Sequence, residues 1–135
     1  MSDGNSEALL KEFASAWNAH DLERMMDCMS DDCEFLTSAG PQRHGQRHIG
    51  RDAVRQAFKA VLDSMPDAHW HGRQLVVQGD TAFSLWTLTG TKADGSRVDV
   101  DGVDHFDLRG GKVRLKNAFR KERISESLAA PTSLR

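Results

Sequence analysis

The segment Val98 to Phe119, VDVDGVDHFDLRGGKVRLKNAF, consists of two alternating stretches joined at Gly110-Gly111. A two-residue hairpin turn of the favoured type needs positive φ at both central positions, which glycine supplies without strain. Counting outward from the turn sets Arg109 opposite Lys112, Leu108 opposite Val113, Phe106 opposite Leu115 and Asp104 opposite Asn117. Side chains alternate across a strand, so one face carries Val98, Val100, Gly102, Asp104, Phe106 and Leu108 beside Val113, Leu115, Asn117 and Phe119. The other carries Asp99, Asp101, His105, Asp107, Arg114 and Lys116. Asp104 and Asn117 are thus two polar groups predicted to meet inside an apolar surface. A carboxylate buried without a partner costs several kcal/mol, in the form of a shifted pKa or a compensating hydrogen bond.

The rest of the chain supplies the elements that could cover such a face. Leu9, Leu10, Phe13, Ala16, Trp17 and His20 recur at helical spacing. Asp21 can cap a second short helix through Leu22, Met25, Met26 and Met29, closed by Ser30-Asp31-Asp32. Cys33 to Thr37 reads as a short strand, and Ser38 to Gly50 as a polar loop. Val54, Phe58, Val61, Leu62 and Met65 define a third helix ended by Pro66. From Ala68 strand signals take over, with turns at Gly79-Asp80 and Asp94-Gly95, and Gly102 marks a bulge or a bend. Thr81 to Gly90 carries bulky apolar groups on both faces, Phe83 and Leu85 on one, Trp86 and Leu88 on the other. It is expected to be covered on both sides.

This order predicts an α+β domain: a cone-shaped, curved antiparallel sheet wrapped around three helices from the N-terminal half, with an open mouth where a ligand enters. The domain spans residues 7–121, between a disordered N-terminus over 1–6 and a C-terminal tail over 122–135.

Bulk properties narrow the partners. With 135 residues, 28% of them charged, and a formal net charge of −2, the chain is one domain and not a general binder of nucleic acid or anionic membrane. No apolar run approaches a membrane span and no leader pattern opens the sequence, which predicts a cytoplasmic protein. Cys28 and Cys33 show no disulfide or zinc spacing and read as reduced packing thiols. His44, His48, His69 and His71 likewise lack metal-site spacing, so no metal is expected. No glycine-rich phosphate loop precedes a helix, and no cofactor is implied.

Asp104 is the candidate catalytic group, because a carboxylate raised toward neutrality by desolvation can take a proton next to a carbonyl. Contact with a ligand without chemistry, or a structural buried pair, would place it equally well. Asn117 would orient it or bind a substrate oxygen. His69 and His71 share a face, and His69 is the candidate to reach the mouth as a proton shuttle. Trp17, Phe35, Phe58, Trp86, Phe106 and Phe119 are candidates to line an apolar pocket for a ring-containing ligand, although ordinary core claims many such rings. Arg43, Arg47 and Arg51 with His44 and His48 form a basic loop that is either solvated or anion-binding.

The succession FASAWNAHDLERMM, DDCEF, HIGRDAVRQAF, VVQGDTAFSLWTLTG and HFDLRGGKVRLKNAFRK resembles the nuclear-transport-factor-2-like superfamily in its SnoaL-like branch, over Glu7 to Lys121. The resemblance implies a cone-shaped α+β barrel, a small hydrophobic ligand and a homodimer formed through the sheet. It also implies an isomerase, cyclase or dehydratase that works without a cofactor through a pocket aspartate, or else a binding or interaction domain of the same fold. In ketosteroid isomerases an aspartate base lies a few residues beyond the DD pair. Thr37 or Ser38 occupies that place here, and the chain has no tyrosine for an oxyanion hole. The resemblance to cyclases is the better one.

Overall fold

The computed structural model describes residues 3–124. Helix α1 (Asp3–Asn18) is followed by α2 (Leu22–Asp27), β1 (Met29–Leu36), β2 (Arg47–Ile49), α3 (Arg51–Ser64), β3 (His69–Gln78), β4 (Thr81–Thr91), β5 (Arg97–Arg109) and β6 (Lys112–Arg120). The six strands form one sheet in the order β2-β1-β6-β5-β4-β3. Every pairing is antiparallel except β1 with β6. This is the α+β cone expected from the sequence, with a curved, mostly antiparallel open sheet and all three helices in the N-terminal half.

Each element begins and ends for a local reason. Leu10, Phe13 and Trp17 bury one stripe of α1, which packs toward β3. His20, at φ 53°, reverses the chain in the left-handed conformation, and its Nε2 donates to Ala68 O at 2.7 Å. The Asp21 carboxylate then caps α2 by accepting from Arg24 N at 3.2 Å. Gly50, at φ 91°, opens α3, whose Val54, Phe58 and Leu62 pack inward toward β1. The Gly110 and Gly111 turn has φ of 58° and 79°, as the hairpin required.

Several expectations are corrected. Residues 3–6 were expected in the disordered terminus, but α1 starts at Asp3 and Ser6 is buried. Met29 to Asp32 belongs to β1 and not to the end of α2. The polar loop contains β2, a three-residue strand on the free edge of β1, too short for alternation to reveal. The tail is described only to Ile124, so the expectation for 125–135 lies outside the described residues. Within one chain β4 is covered on its inner side, while Phe83 on the outer side is 41% exposed.

The decisive correction concerns register. Leu108 does pair with Val113, but Asp107 pairs with Leu115, leaving Arg114 as an extra residue in β6. From there the strand is shifted by one, and a shift of one exchanges the two faces. Phe106 faces Lys116, His105 faces Asn117 and Val103 faces Phe119. The Arg114 guanidinium holds the bulge from both sides, donating to Glu34 on β1 at 2.9 Å and to Asp107 on β5 at 3.3 Å. Gly102 sits in an unbroken ladder with β4, so it is not where the register changes. A side chain there would place Cβ 2.3 Å from Cη2 of Trp86. The glycine gives the Trp86 indole its room.

Candidate functional site

Asp104 points into the cone, as expected, and is 7% exposed. Its partner is Lys116 rather than Asn117, because the bulge at Arg114 turns Lys116 inward and Asn117 outward. Lys116 is 6% exposed. Its Nζ donates to Asp104 Oδ1 at 2.8 Å, and Trp86 Nε1 donates to Oδ2 at 3.1 Å. Both carboxylate oxygens are therefore occupied, which answers how the carboxylate is tolerated inside an apolar face. The Lys116 ammonium also lies 5.1 Å from the centre of the Trp17 ring and 5.5 Å from that of Phe35, within cation-π range.

These groups border a cavity of about 150 Å³ between α1 and the inner sheet. Phe13 and Trp17 come from α1, Trp70 from β3, Trp86 and Ser84 from β4, and Asp104, Phe106 and Lys116 from β5 and β6. Ala14, Ser15 and Gly72 at its margin are exposed, so it opens between α1 and β3. Asn18 clamps that edge, donating to Trp70 O at 2.9 Å and accepting from Trp70 N at 2.8 Å. Among the described residues, Asp104 and Lys116 are the titratable side chains in the lining. Trp17 Nε1 is buried with no hydrogen-bond partner among the described residues.

The structure brings together Trp17, Trp86, Phe106 and Asp104 from the residues singled out in the sequence. Phe35 and Phe58 lie deeper, in the core cluster beneath the cavity, with ring centres 5.0 Å apart. Asn117 and Phe119 are corrected to the outer face by the bulge, where Asn117 Nδ2 lies 3.4 Å from His105 Nδ1 and Phe119 is 53% exposed. His69 is also corrected: it is exposed, its ring 4.4 Å from that of His71, because Trp70 between them takes the inward position. Of the basic loop, Arg51 donates to Met26 O and Met29 O and Arg47 lies 3.5 Å from Glu34, both in structural use. Cys28 and Cys33 are buried free cysteines, and burial pushes both thiols up. Among the described residues no cluster of three or more potential metal ligands occurs, and no helix is long and apolar enough to cross a membrane.

Sequence reading missed Lys116, Trp70, Phe13 and Ser84. Phe13 and Trp70 had usable signals, one on the buried stripe of α1 and one opposite His69 and His71 in alternation. Lys116 had none, since alternation counted from the turn places it with Arg114 on the outer face.

A search of curated proteins finds no match. Among solved structures, the chain is similar to a putative SnoaL-like polyketide cyclase from Jannaschia sp. CCS1, with 22% identity, 96% of this chain and 90% of that one covered, and a TM-score of 0.74. It is also similar to AclR, a putative hydroxylase from Streptomyces galilaeus, with 20% identity, coverage of 90% and 92%, and a TM-score of 0.74. TerC, crystallised with polyporic acid, gives 18% identity, coverage of 93% and 94%, and a TM-score of 0.72. At these identities the likeness is one of fold. A family model described as a SnoaL-like domain matches residues 10–115; over most of its length, then, this chain belongs to the SnoaL-like domain family.

Proposed function

We propose that the chain binds a small hydrophobic, ring-containing molecule in the cavity between α1 and the sheet, and that Asp104 moves a proton on it without a cofactor. The supporting observation is an ion pair, buried on both sides, at the wall of a cavity that five aromatic rings also line. An ionised carboxylate in that place can take a proton from the carbon beside a carbonyl. The adjacent ammonium stabilises the negative charge that then develops on the carbonyl oxygen. Returning the proton to a different carbon is an isomerisation, and delivering it to a departing hydroxyl is a dehydration. Attack of the enolate carbon on a second carbonyl of the same molecule, with the proton passed from Asp104 to the alkoxide so formed, is a cyclisation. The names of similar proteins, a putative polyketide cyclase and a protein crystallised with polyporic acid, agree with a ring-containing ligand.

A second reading, a binding domain without chemistry, is favoured by the donors on both Asp104 oxygens, since a carboxylate satisfied by protein donors needs no catalytic role to explain its burial. Exchange of the α-protons of cyclohexanone in deuterated water separates the two. The enzymatic reading expects the native protein to accelerate exchange and Asp104→Asn to abolish the acceleration while binding stays within a few-fold. Saturable binding with exchange at the buffer rate would leave only the binding domain.

The expected homodimer belongs to the same reading. Val76, Phe83 and Phe119 are 44%, 41% and 53% exposed on the outer sheet face, and pairing of two copies there would cover both sides of β4. Sedimentation of the native protein and of Phe119→Lys tests it: a dimer that becomes a monomer supports the interface, and a native monomer refutes it.

A further inference from the structure

The cavity's charge and donor count point to what it binds. Asp104 and Lys116 cancel, and no other titratable side chain among the described residues lines it. An anionic ligand would leave one uncompensated charge in a site under a tenth exposed, which is strongly disfavoured. Hydrogen-bond donors, by contrast, are in excess. An ammonium has three N–H donors, of which one serves Asp104. A buried N–H left without an acceptor is unfavourable, and an acceptor on a ligand would relieve it.

Size narrows the class further. Apolar cavities of roughly 150 Å³ hold a single six-membered ring, and this one has about that volume, 150 Å³. We infer that the cavity selects a neutral, single-ring carbonyl compound, whose oxygen accepts from Lys116 Nζ while its ring packs among Phe13, Trp70 and Phe106. Lys116 is thereby the group that recognises the ligand, and the charge of Asp104 is what excludes acids. This rests on the ring-binding reading above and adds the functional group, its charge and the ring count.

The test compares three probes of similar size on the native protein: cyclohexanone, methylcyclohexane and cyclohexanecarboxylate. The readout is the indole N–H region of the NMR spectrum, with Trp17 assigned through Trp17→Phe. Cyclohexanone is expected to bind roughly tenfold or more tightly than methylcyclohexane, as a hydrogen bond to a charged group implies, and to shift the Trp17 N–H resonance as its ring enters the cavity. The carboxylate is expected to bind no better than methylcyclohexane. Replacing both charges, with Asp104→Asn and Lys116→Met together, avoids stranding either one and is expected to erase the preference for the ketone while methylcyclohexane still binds. Equal binding of ketone and hydrocarbon by the native protein, tighter binding of the carboxylate, or a ketone preference that survives the double replacement would each overturn the inference and leave ring binding intact. Binding of none of the three overturns the ring-binding reading, and this inference with it.

Discussion

Lys116 Nζ lies 2.8 Å from Asp104 Oδ1, and the two meet because Arg114 is an unpaired residue in β6. A buried pair formed in this way is an unequal contributor to stability. Its Coulombic gain is largely offset by desolvation, while the loss of one partner strands the other. Lys116→Met alone is therefore expected to cost about 3–5 kcal/mol, and the paired replacement Asp104→Asn with Lys116→Met much less. Urea unfolding of the single and double variants measures the difference, and equal losses would contradict it.

The bulge itself rests on Arg114, whose guanidinium reaches carboxylates on both neighbouring strands. The Glu34 carboxylate beside it raises the arginine's already high pKa, so the group stays charged at every working pH. Arg114→Ala is expected to destabilise by about 1–2 kcal/mol, since charge-assisted bonds are worth more than neutral ones but these are partly exposed. It is also expected to loosen the inward placement of Lys116. Chemical denaturation gives the first quantity, and faster modification of Lys116 by an amine reagent in the folded state reports the second.

Gly102→Ala puts a methyl group into the Trp86 ring and 2.6 Å from Phe119 O. The indole must move, and its bond to Asp104 goes with it. We expect a loss of about 1–3 kcal/mol, typical of overpacking, together with a displaced Trp86 N–H resonance. A variant as stable as the native protein, with that resonance unmoved, would contradict the packing described.

How much of this could be read in the sequence divides along physical lines. The Gly110-Gly111 turn, the Asp21 cap, the stripe on α1 and the inward direction of Asp104 each follow from local geometry, and local geometry is written in local residues. Lys116 was hidden because a bulge changes the parity of a strand, and alternation arguments carry parity from the turn outward. Arg114 forms the bulge with help from Glu34, which is 80 positions away, and no window of the hairpin contains that information. Gly102 was noticed but read as a bulge or a bend, because the ring that needs its space comes from β4. The family match ends at residue 115, one position before Lys116, so membership does not supply the lysine either.

Acid stability gives a separate check at Asp67. Hydrogen bonds from Thr91 N and Oγ1, at 2.8 Å each, hold this carboxyl below the usual aspartate range. A folded-state pKa below the unfolded one means that the contribution is complete above the ordinary carboxylate pKa and fades as pH falls through the lowered value. Asp67→Asn is expected to reduce stability near neutral pH and to converge with the native protein in acid. Parallel stability curves across the acid range would show that Asp67 contributes nothing of this kind.

The most direct test of the account is to locate ligand binding by chemical-shift mapping of the native protein titrated with cyclohexanone. The outer face offers a rival, an open depression of about 390 Å³ bordered by Leu85, Val103 and Phe119. Saturable shifts are expected at the Trp17, Trp70 and Trp86 indoles, which are all three tryptophans of the chain, and at Ser84. Shifts confined to Val103 and Phe119, or none that saturate, would contradict it.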